Sequence, residues 1–511
     1  MQRFSNPYFF FTLLAFWVSG CGTTLTSHFA PTFEQKEGQF LTRPVPLVNA
    51  TEDQLQPAVS GYNHQLAYAA QIAGNLDIYL QSAEPGTEPL RLTKHSTDDT
   101  SPVFTQDSKQ IVWVSKRADV KGDIWIMDAD GKNQRKLTSR EGADSTPVCH
   151  PDGVHVYFTS RSKKSRQPGI RSINLSSGDQ AEIVDHGWDP TLSQDGRYMA
   201  FVSVEPGENI PRLYLRDLVL KQTHPITQSI YAEGLPTFIT RPNGAEELIF
   251  VRFVDDINGD GSIDANDTPS LWSLPFTSRT KKAGPPSPPK PLTPVLDGEI
   301  FVRPGDAWLV YTAAGAGDLD IFALPFDGML PPNTNAAALL HAATTEPQPA
   351  LRRFMLRHII ATHPKFSVKA HRILAKEYAH IGSVELAINI LERARSLSQN
   401  SVEGWILTID IVELQLRKKL DGDSLIRTEA LKKAVEELEE EVAPAEKLDI
   451  NLLNKRSALF KATVHRLKGE TGEAFKIWNK LSQDQTIERN WQARSLLGLI
   501  NLALELGDLE A

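Results

Sequence analysis

Residues 100–117 read TSPVFTQDSKQIVWVSKR, and residues 122–138 read GDIWIMDADGKNQRKLT. Runs of β-branched and aromatic residues alternate here with Asp, Asn, Gly and Ser, which predicts four short strands joined by tight turns. This pattern is repeated along the chain. The first five copies are marked by prolines spaced 45, 45, 43 and 46 residues apart, namely Pro57, Pro102, Pro147, Pro190 and Pro236. A sixth, less regular copy begins near Ile300.

One sheet of four antiparallel strands cannot bury both of its faces, so the copies must stack on one another. Six such sheets predict a six-bladed antiparallel β-propeller over residues 47–328, followed by an α-helical region. Leu47-Val48 lies 45 residues ahead of Leu92-Thr93, which ends the first copy. The N-terminal segment is therefore predicted to supply the outer strand of the sixth blade and to close the ring.

The residues quoted above resemble the TolB-type, WD-like propeller repeat of bacterial envelope proteins, and the resemblance covers roughly residues 47–328. It implies the fold but no single activity, because such propellers serve as adaptor rings, as lids on peptidases and as scaffolds of some polysaccharide lyases. The sequence departs from TolB itself: no separate α/β domain is recognised ahead of the repeats, and a helical pattern follows them. The role of TolB in the Tol system is therefore not assigned.

Acidic residues stand close ahead of four of the prolines: Asp53, Asp99, Asp144 and Glu233. If the first strand of each blade lines the central channel, these residues would ring one mouth of it and attract a cationic segment of a partner. The alternative is structural, because an Asp just before a strand commonly caps a turn through its carboxylate. The structural interpretation is the stronger of the two.

An insertion in the fifth blade, residues 255–267, reads DDINGDGSIDAND. Gly261 permits the sharp bend of a loop whose oxygen ligands follow the EF-hand spacing. The predicted calcium ligands are Asp256, Asn258, Asp260, Ser262 through its carbonyl, Asp264 and Asp267. Position 12 of the loop is Asp267 rather than Glu, and this shorter side chain predicts weak binding of Ca²⁺. Strands rather than helices flank the loop, so the ion is predicted to have a structural role. The alternative is a polar turn without metal.

Residues 1–20 have the layout of a signal peptide, with Arg3 near the start and an apolar stretch from Tyr8 to Val18. That stretch is 11 residues long, about half of the ~20 that a helix needs to cross a bilayer. A permanent membrane-spanning segment is therefore the weaker interpretation.

The segment Val18-Ser19-Gly20-Cys21 resembles a bacterial lipobox, which implies cleavage before Cys21 and lipid attachment to that residue. The alternative is an ordinary cleavage site beside a chance cysteine. Gly22 after the cysteine favours the outer membrane under the sorting rule of lipoproteins. We therefore expect residues 21–46 to form a tether and the N-terminal segment, and the protein to be lipid-anchored at the outer membrane, facing the periplasm.

The composition limits the classes of partner. Lys plus Arg number 54 against 63 for Asp plus Glu, a net charge of −9, which argues against nucleic acid as a partner. Two cysteines cannot build a disulfide framework, so the fold must depend on burial.

After Asp327 the strand pattern ends. Residues 329–348 are predicted to be a linker, and apolar residues then recur every three to four positions over residues 349–511. Small and large residues from Ala370 to Ala394 resemble a tetratricopeptide repeat, whereas the later hairpins fit this pattern more loosely. A generic α-solenoid is the alternative. The sequence stops where a further helix would begin, so we expect it to be truncated or to be capped by a partner.

No linear signature of an enzyme occurs in the sequence: it contains no Gly-x-Ser-x-Gly, His-Glu-x-x-His, phosphate-binding glycine loop or Cys-x-x-Cys. His150, His155 and His186 fall in or near strands and are interpreted as structural. The favoured function is a non-catalytic envelope scaffold that binds protein partners through the propeller and the helical surface. The alternative is a propeller-based lyase or hydrolase acting on envelope polysaccharide or peptide at the channel mouth.

Overall fold

The structure is a computed structural model. It describes residues 41–48, 52–61, 64–71, 74–82, 87–139, 142–162, 167–241, 243–256, 263–264, 267–277, 288–296, 302–305, 308–314, 318–330, 335–398, 401–421, 458–459, 461–466, 470–484 and 489–506. The signal peptide and Cys21 lie outside these residues. Contacts divide the chain into two units, Met1–Phe354 and Met355–Ala511.

The first unit contains six four-stranded antiparallel sheets, which confirms the predicted six-bladed propeller. Blades 1 and 2 are β2 (Gln54–Val59), β3 (Gln65–Ala70), β4 (Asp77–Ser82), β5 (Leu90–Arg91), and β6 (Asp99–Phe104), β7 (Gln110–Ser115), β8 (Asp123–Asp128), β9 (Arg135–Lys136). Blades 3 and 4 are β10 (Gly142–Cys149), β11 (His155–Ser162), β12 (Gly169–Asn174), β13 (Gln180–Val184), and β14 (Trp188–Leu192), β15 (Tyr198–Ser203), β16 (Arg212–Asp217), β17 (Gln222–Pro225). Blades 5 and 6 are β18 (Glu233–Thr240), β19 (Glu246–Phe253), β20 (Pro269–Pro275), β21 (Lys290–Pro291), and β22 (Val302–Pro304), β23 (Trp308–Ala314), β24 (Leu319–Pro325) with β1 (Val45–Val48).

The ring is closed in two ways. The first strands of the six blades contact one another in cyclic order, from β2 through β6, β10, β14 and β18 to β22 and back to β2. The N-terminal strand β1 pairs with β24 and becomes the outer strand of blade 6, as the sequence predicts. Leu47 and Val48 of this strand are buried in a cluster that includes Trp308. Closure therefore joins the first strand of the propeller to its last.

A threonine has a physical role at the outer edge of four blades, where it follows an apolar residue: Leu92-Thr93, Leu137-Thr138, Ile226-Thr227 and Leu292-Thr293. The fourth strands β5, β9 and β21 are only two residues long. The threonine hydroxyl replaces a ladder bond by accepting a hydrogen bond from the third strand. The donors are the N–H groups of Ile78, Ile124, Leu213 and Leu271, which lie 2.9 to 3.1 Å from the hydroxyls of Thr93, Thr138, Thr227 and Thr293.

Helices follow the propeller. They are α1 (Ala336–Thr345), α2 (Pro349–Thr362), α3 (Pro364–His380), α4 (Val384–Leu397), α5 (Val402–Asp421), α6 (Thr471–Gln483) and α7 (Arg489–Leu506). Helix α1 lies inside residues 329–348, which were predicted to be a linker. It begins there because the side chain of Asn335 accepts hydrogen bonds from the N–H groups of Ala337 and Ala338. None of the described helices has the length and apolarity needed to span a membrane.

Within the second unit, α3 and α4 form a helical hairpin. Gly382 takes a φ of +94° in the turn between them, a conformation that favours glycine. Ala370, Ala375 and Ala387 are buried where the two helices approach each other, so small residues set the spacing. Helix α5 packs against both α3 and α4.

Candidate functional site

The third residue before each of the five repeat prolines lies at or close to the start of the inner strand. This place is taken by Gln54, Asp99, Asp144, Gly187 and Glu233. In blades 2 to 5 its N–H donates to a carbonyl just ahead of the third strand of the preceding blade, over 2.8 to 3.0 Å. Asp53 stands one position earlier, and its carboxylate accepts a hydrogen bond from the N–H of Leu319 in blade 6 at 3.0 Å. Asp53 therefore links blade 1 to blade 6.

Two of the inner-strand acids form buried ion pairs. Asp99 accepts a hydrogen bond from Arg117 at 2.6 Å, and this guanidinium lies 4.8 Å from the ring centre of Trp125. Glu233 accepts one from Nε of Arg252 at 3.0 Å. Each acid thus has a cation of its own blade beside it, and its charge is compensated within the protein.

Asp144 is also buried, and its carboxylate accepts a hydrogen bond from the Ser160 hydroxyl at 2.6 Å. The structure therefore places Asp53, Asp99, Asp144 and Glu233 in contacts that hold strands and blades together. The structural alternative named for these acids was a turn cap, whereas the contacts seen are ion pairs and hydrogen bonds between strands. A role in attracting a partner remains a prediction.

A second ring of side chains lies two residues farther along, directly before each proline. Its members are Gln56, Ser101, Thr146, Asp189, Leu235 and Arg303, all of them buried. The first five have φ between +42° and +57°, which is unusual for residues other than glycine. The ladder between the first and second strands shifts register at the same place in blades 1 to 5. A repeated bulge therefore turns these residues out of the regular pleat.

Asp189 and Arg303 bring opposite charges into this ring. Burial raises the pKa of Asp189 well above its usual range, and the nearby guanidinium of Arg303 acts in the opposite direction. The two residues lie in the inner strands β14 and β22, which β18 separates in the ring. Both are almost completely buried. Neither residue was singled out from the sequence.

Of the three histidines near strands, the structure brings His150 and His155 together, with their ring centres 6.3 Å apart. His150 directly follows the inner strand β10 and His155 begins the strand β11, and both contact Asp152 in the turn between these strands, at 3.1 and 2.7 Å. His186 lies before the inner strand β14. Although partial burial opposes ionisation, hydrogen bonds from His155 and the backbone outweigh it and lower the pKa of Asp152 to about 2. The cluster of His150, His155 and Asp152 thus stabilises a turn.

The structure describes only part of the predicted calcium loop: Asn258, Asp260 and Ser262 lie outside the described residues. The side chain of Asp267 accepts a hydrogen bond from the N–H of Asp264 at 3.0 Å, which closes the end of the loop. Asp255, just ahead of the loop, forms a buried ion pair with Arg353 at 3.1 Å. Among the described residues there is no group of three or more His, Cys, Asp or Glu side chains that could hold a metal.

The second unit contains a half-open cavity of about 290 Å³, lined by residues of α3, α4, α5 and α7. Its apolar floor includes Ala375, Ala379 and Leu391. Its charged lining consists of Arg372, Lys376, His380, Asp410, Glu413 and Arg494. Sequence patterns did not reveal this cavity, because its walls come from helices far apart in the chain.

Comparison with known proteins agrees with the architecture of the first unit. Residues 43–256 match the family model of the TolB beta propeller domain. A protein TolB homolog of Chlorobaculum tepidum is 30% identical over 100 residues, which cover 17% of this chain and 22% of that protein. The curated relatives are matched over only 22% and 44% of their own lengths.

Solved structures with a similar fold include TolB from Acinetobacter baumannii, at 18% identity and a TM-score of 0.40, covering 51% of this chain and 60% of that one. Another is an oligogalacturonate lyase from Vibrio parahaemolyticus, at 12% identity and a TM-score of 0.38, covering 57% and 95% of the two chains. The chain thus carries a six-bladed β-propeller whose residues 43–256 are similar to the TolB beta propeller domain.

Proposed function

We propose that this protein is a lipid-anchored scaffold of the bacterial envelope that binds protein partners through its propeller and its helical surface, without catalysing a reaction. One observation carries the proposal. The polar side chains described along the inner strands are buried within the ring, whereas the half-open cavity of the second unit, with its charged lining, is accessible to solvent. A scaffold needs accessible surfaces on a rigid frame, and this distribution provides them.

The alternative is a lyase or hydrolase whose active site lies at the channel mouth. Asp189 is the observation that favours it, because a buried carboxyl whose pKa is raised can serve acid–base chemistry. However, Asp189 is 2% and Arg303 is 3% exposed, so a substrate would not reach either of them without a rearrangement of the ring. The scaffold is therefore the better supported of the two functions.

The lipid anchor is the part of this proposal that fixes the location of the protein. Signal cleavage and acylation at Cys21 would hold the chain at the outer membrane, facing the periplasm, with residues 21–46 as a tether. Metabolic labelling with an alkynyl fatty acid tests this step. The wild type is expected to incorporate the label and to sediment with membranes, and Cys21→Ser is expected to do neither. Equal labelling of both proteins would contradict the assignment.

The scaffold function itself is tested by capture from envelope extracts under crosslinking. The full-length protein is compared with an unrelated outer-membrane lipoprotein carrying the same affinity tag. We expect a reproducible set of envelope proteins to be enriched at stoichiometric amounts with this protein alone. The opposite result is an absence of enriched partners together with cleavage of envelope polysaccharides or peptides by the purified protein, which would favour the enzyme.

We also propose that residues 255–267 bind a structural Ca²⁺ ion. The support comes from the spacing of oxygen ligands in the sequence and from the turn between Asp264 and Asp267, which returns the end of the loop to the strand β20. Carboxylate and carbonyl oxygens from one short loop suit a hard divalent cation. The ion would stabilise an insertion that carries several like charges.

Calcium is therefore expected to raise the melting temperature of the protein. For a dissociation constant of about 10⁻⁴ to 10⁻³ M, a calcium concentration of about 10 mM would stabilise the folded state by roughly 1–3 kcal/mol. The variant Asp256→Ala with Asp260→Ala is expected to lose this response. Asp107→Ala with Asp130→Ala, which removes two exposed aspartates from turns of blade 2, is the matched control and should retain it. A wild-type melting curve that does not respond to calcium would remove the ion from the proposal.

A further inference from the structure

The turn between β16 and β17 in blade 4 carries two adjacent apolar side chains at its end. Val219 is 71% exposed and Leu220 is 57% exposed. Single exposed apolar residues need no explanation on a protein surface, but contiguous ones do. We call Val219 and Leu220 the apolar tip. The residue that follows them, Lys221, is also exposed.

Hydrogen bonds hold this turn in place. Oδ1 of Asp217 accepts hydrogen bonds from the N–H groups of Val219 and Leu220, both at 2.9 Å. Oδ2 of the same carboxylate accepts two more from Arg197, from Nε at 3.0 Å and from a terminal nitrogen at 2.8 Å. An ordered turn therefore presents the apolar tip, and its exposure does not result from a loose loop.

The equivalent turns of blades 2 and 3 are polar. In blade 3 the side-chain oxygen of Asn174 accepts hydrogen bonds from the N–H groups of Ser176 and Ser177, both at 2.9 Å. These two serines thus take the places that the apolar tip has in blade 4. In blade 2 the turn carries an exposed ion pair between Lys132 and Asp130 at 2.7 Å. The turn therefore does not need apolar residues to fold, and those of blade 4 point to a contact outside the propeller.

The apolar tip lies on the face of the propeller at which the chain enters it. The third strand of each blade ends at this face, and β16 is the third strand of blade 4. The strand β1 runs antiparallel to β24, the third strand of blade 6, so Val45 at its start lies beside the end of β24. Residues 21–40 precede the described residues and extend over at most about 70 Å. A lipid on Cys21 would therefore tether this face to the membrane.

We infer that the apolar tip inserts into the surface of the lipid bilayer and that Lys221 contacts the phosphates of the headgroups. The inference rests on the proposed lipid anchor and adds a second contact with the same membrane. Two side chains are too few for a protein partner, because a standard protein–protein interface covers about 800 Å² of each surface. They suffice at a membrane to which the anchor already holds the protein, since the second contact then forms at a high effective concentration. The net charge of −9 makes apolar insertion, rather than electrostatic attraction, the main contribution.

Fluorescence of a single dye tests the insertion in the full-length, acylated protein reconstituted into vesicles of phosphatidylcholine and phosphatidylglycerol. Of the two native cysteines, Cys21 would carry the lipid and Cys149 is buried, so an introduced cysteine is labelled selectively. We expect an environment-sensitive dye on Leu220→Cys to be quenched at least about threefold more by nitroxide-labelled lipids than the same dye on Val120→Cys. Val120 is 80% exposed in the turn between β7 and β8, at the opposite face of the propeller.

The contribution of the apolar side chains is tested with the dye moved to Gln222→Cys, an exposed position beside the tip. The variant Val219→Ser with Leu220→Ser copies the serine turn of blade 3, so it is expected to fold and to keep the melting temperature of the wild type. We expect the quenching of the dye in this variant to fall to the level measured on Val120→Cys. Val120→Ser, which removes an exposed valine from the opposite face, is the matched control and should leave the quenching at Gln222→Cys unchanged.

Three results would overturn the inference. The first is equal quenching at Leu220→Cys and Val120→Cys, and the second is unchanged quenching after the two serine substitutions. The third is crosslinking of position 220 to an envelope protein together with an absence of quenching by lipid, which would identify a protein-docking site instead. In an acylated protein these results leave the lipid anchor and the scaffold function standing. An absence of acylation at Cys21 would overturn the anchor and the inference together.

Discussion

Arg117 and Arg252 occupy similar places in blades 2 and 5 and make similar contacts. Each guanidinium lies between a carboxylate at the start of the inner strand and the face of a tryptophan in the third strand. A buried carboxylate is costly unless a cation and hydrogen bonds compensate it, and these arginines supply both. The inner-strand acids Asp99 and Glu233 are therefore parts of a structural cluster that is repeated in two blades.

His371 provides a pH-dependent contribution to the stability of the helical unit. It is buried in α3, with Nδ1 2.8 Å from the carbonyl oxygen of Ser367, and burial lowers its pKa to about 4. The unfolded side chain titrates near 6.5, so the folded state binds fewer protons. The contribution is complete above about pH 6.5 and is lost as the pH falls toward about 4, by roughly 3 kcal/mol.

The variant His371→Leu tests this effect. We expect the free energy of unfolding of the helical unit, measured in urea, to fall for the wild type between about pH 7 and pH 4. The fall should be smaller for His371→Leu, which has no imidazole to protonate. His380→Gln, at an exposed position of the same helix, is the control and should follow the wild type. An identical pH dependence in His371→Leu would show that other groups cause it.

Among the elements, the inner strands differ most from ideal β-structure. Each of the first five contains a bulge at the residue before proline, with the left-handed conformation described above. The bulges supply contacts between blades: the side chain of Gln56 accepts a hydrogen bond from the N–H of Ser101 at 2.6 Å, and Thr159 accepts one from the N–H of Asp189 at 3.0 Å. The energetic cost of these conformations is offset by hydrogen bonds that join neighbouring blades.

The strand β1 is the element on which closure depends, and Leu47 tests it. Leu47 is 4% exposed, whereas Leu90 of the outer strand β5 is 56% exposed. We expect Leu47→Ala to destabilise the propeller by about 2–4 kcal/mol, because it leaves a cavity between β1 and its neighbours. Leu90→Ala should cost less than about 1 kcal/mol. Chemical denaturation measures both, and equal effects would mean that β1 contributes little to closure.

Local patterns were sufficient to predict the blades. The spacing of the prolines, the Leu-Thr pairs and the distance from Leu47 to Leu92 all depend on short-range rules of strand and turn formation. The register of the inner strands could not be predicted as well. Asp53 stands four residues before its proline and Asp99 three, and the structure likewise places Gln54 at the position equivalent to Asp99. The shift of register at each bulge, in contrast, can be seen only when the pairing partner is known.

Contacts across the ring were beyond prediction for a different reason. Asp189 and Arg303 lie in blades 4 and 6, and only the closed ring brings them together. The charged lining of the half-open cavity in the second unit likewise could not be predicted, because it comes together only when the helices are packed. The calcium ligands Asp256, Asn258 and Asp260 remain a prediction, because most of their loop lies outside the described residues.

In the whole propeller, side chains reinforce the closure that β1 provides. Arg241, in the turn after the inner strand of blade 5, donates a hydrogen bond to Asp327 at the end of blade 6 over 3.0 Å. The N–H of Thr42, ahead of β1, donates to the carbonyl of Met329 at 2.8 Å. The segment before β1 is thus joined to the segment after β24, and the end of blade 6 is joined to blade 5.

The buried carboxyl of Asp189 adds a pH-dependent contribution to the stability of the propeller. Because burial raises the pKa of Asp189, its folded form holds a proton more tightly than its unfolded form. The stabilisation is therefore present at low pH and is lost as the pH rises through the folded pKa. We expect the melting temperature of the wild type, relative to Asp189→Asn, to decrease from about pH 5 to pH 8. Asp195→Asn removes a carboxylate from the turn of the same blade and controls for net charge. A constant difference between wild type and Asp189→Asn would show that the carboxyl at the ring centre is already ionised at pH 5.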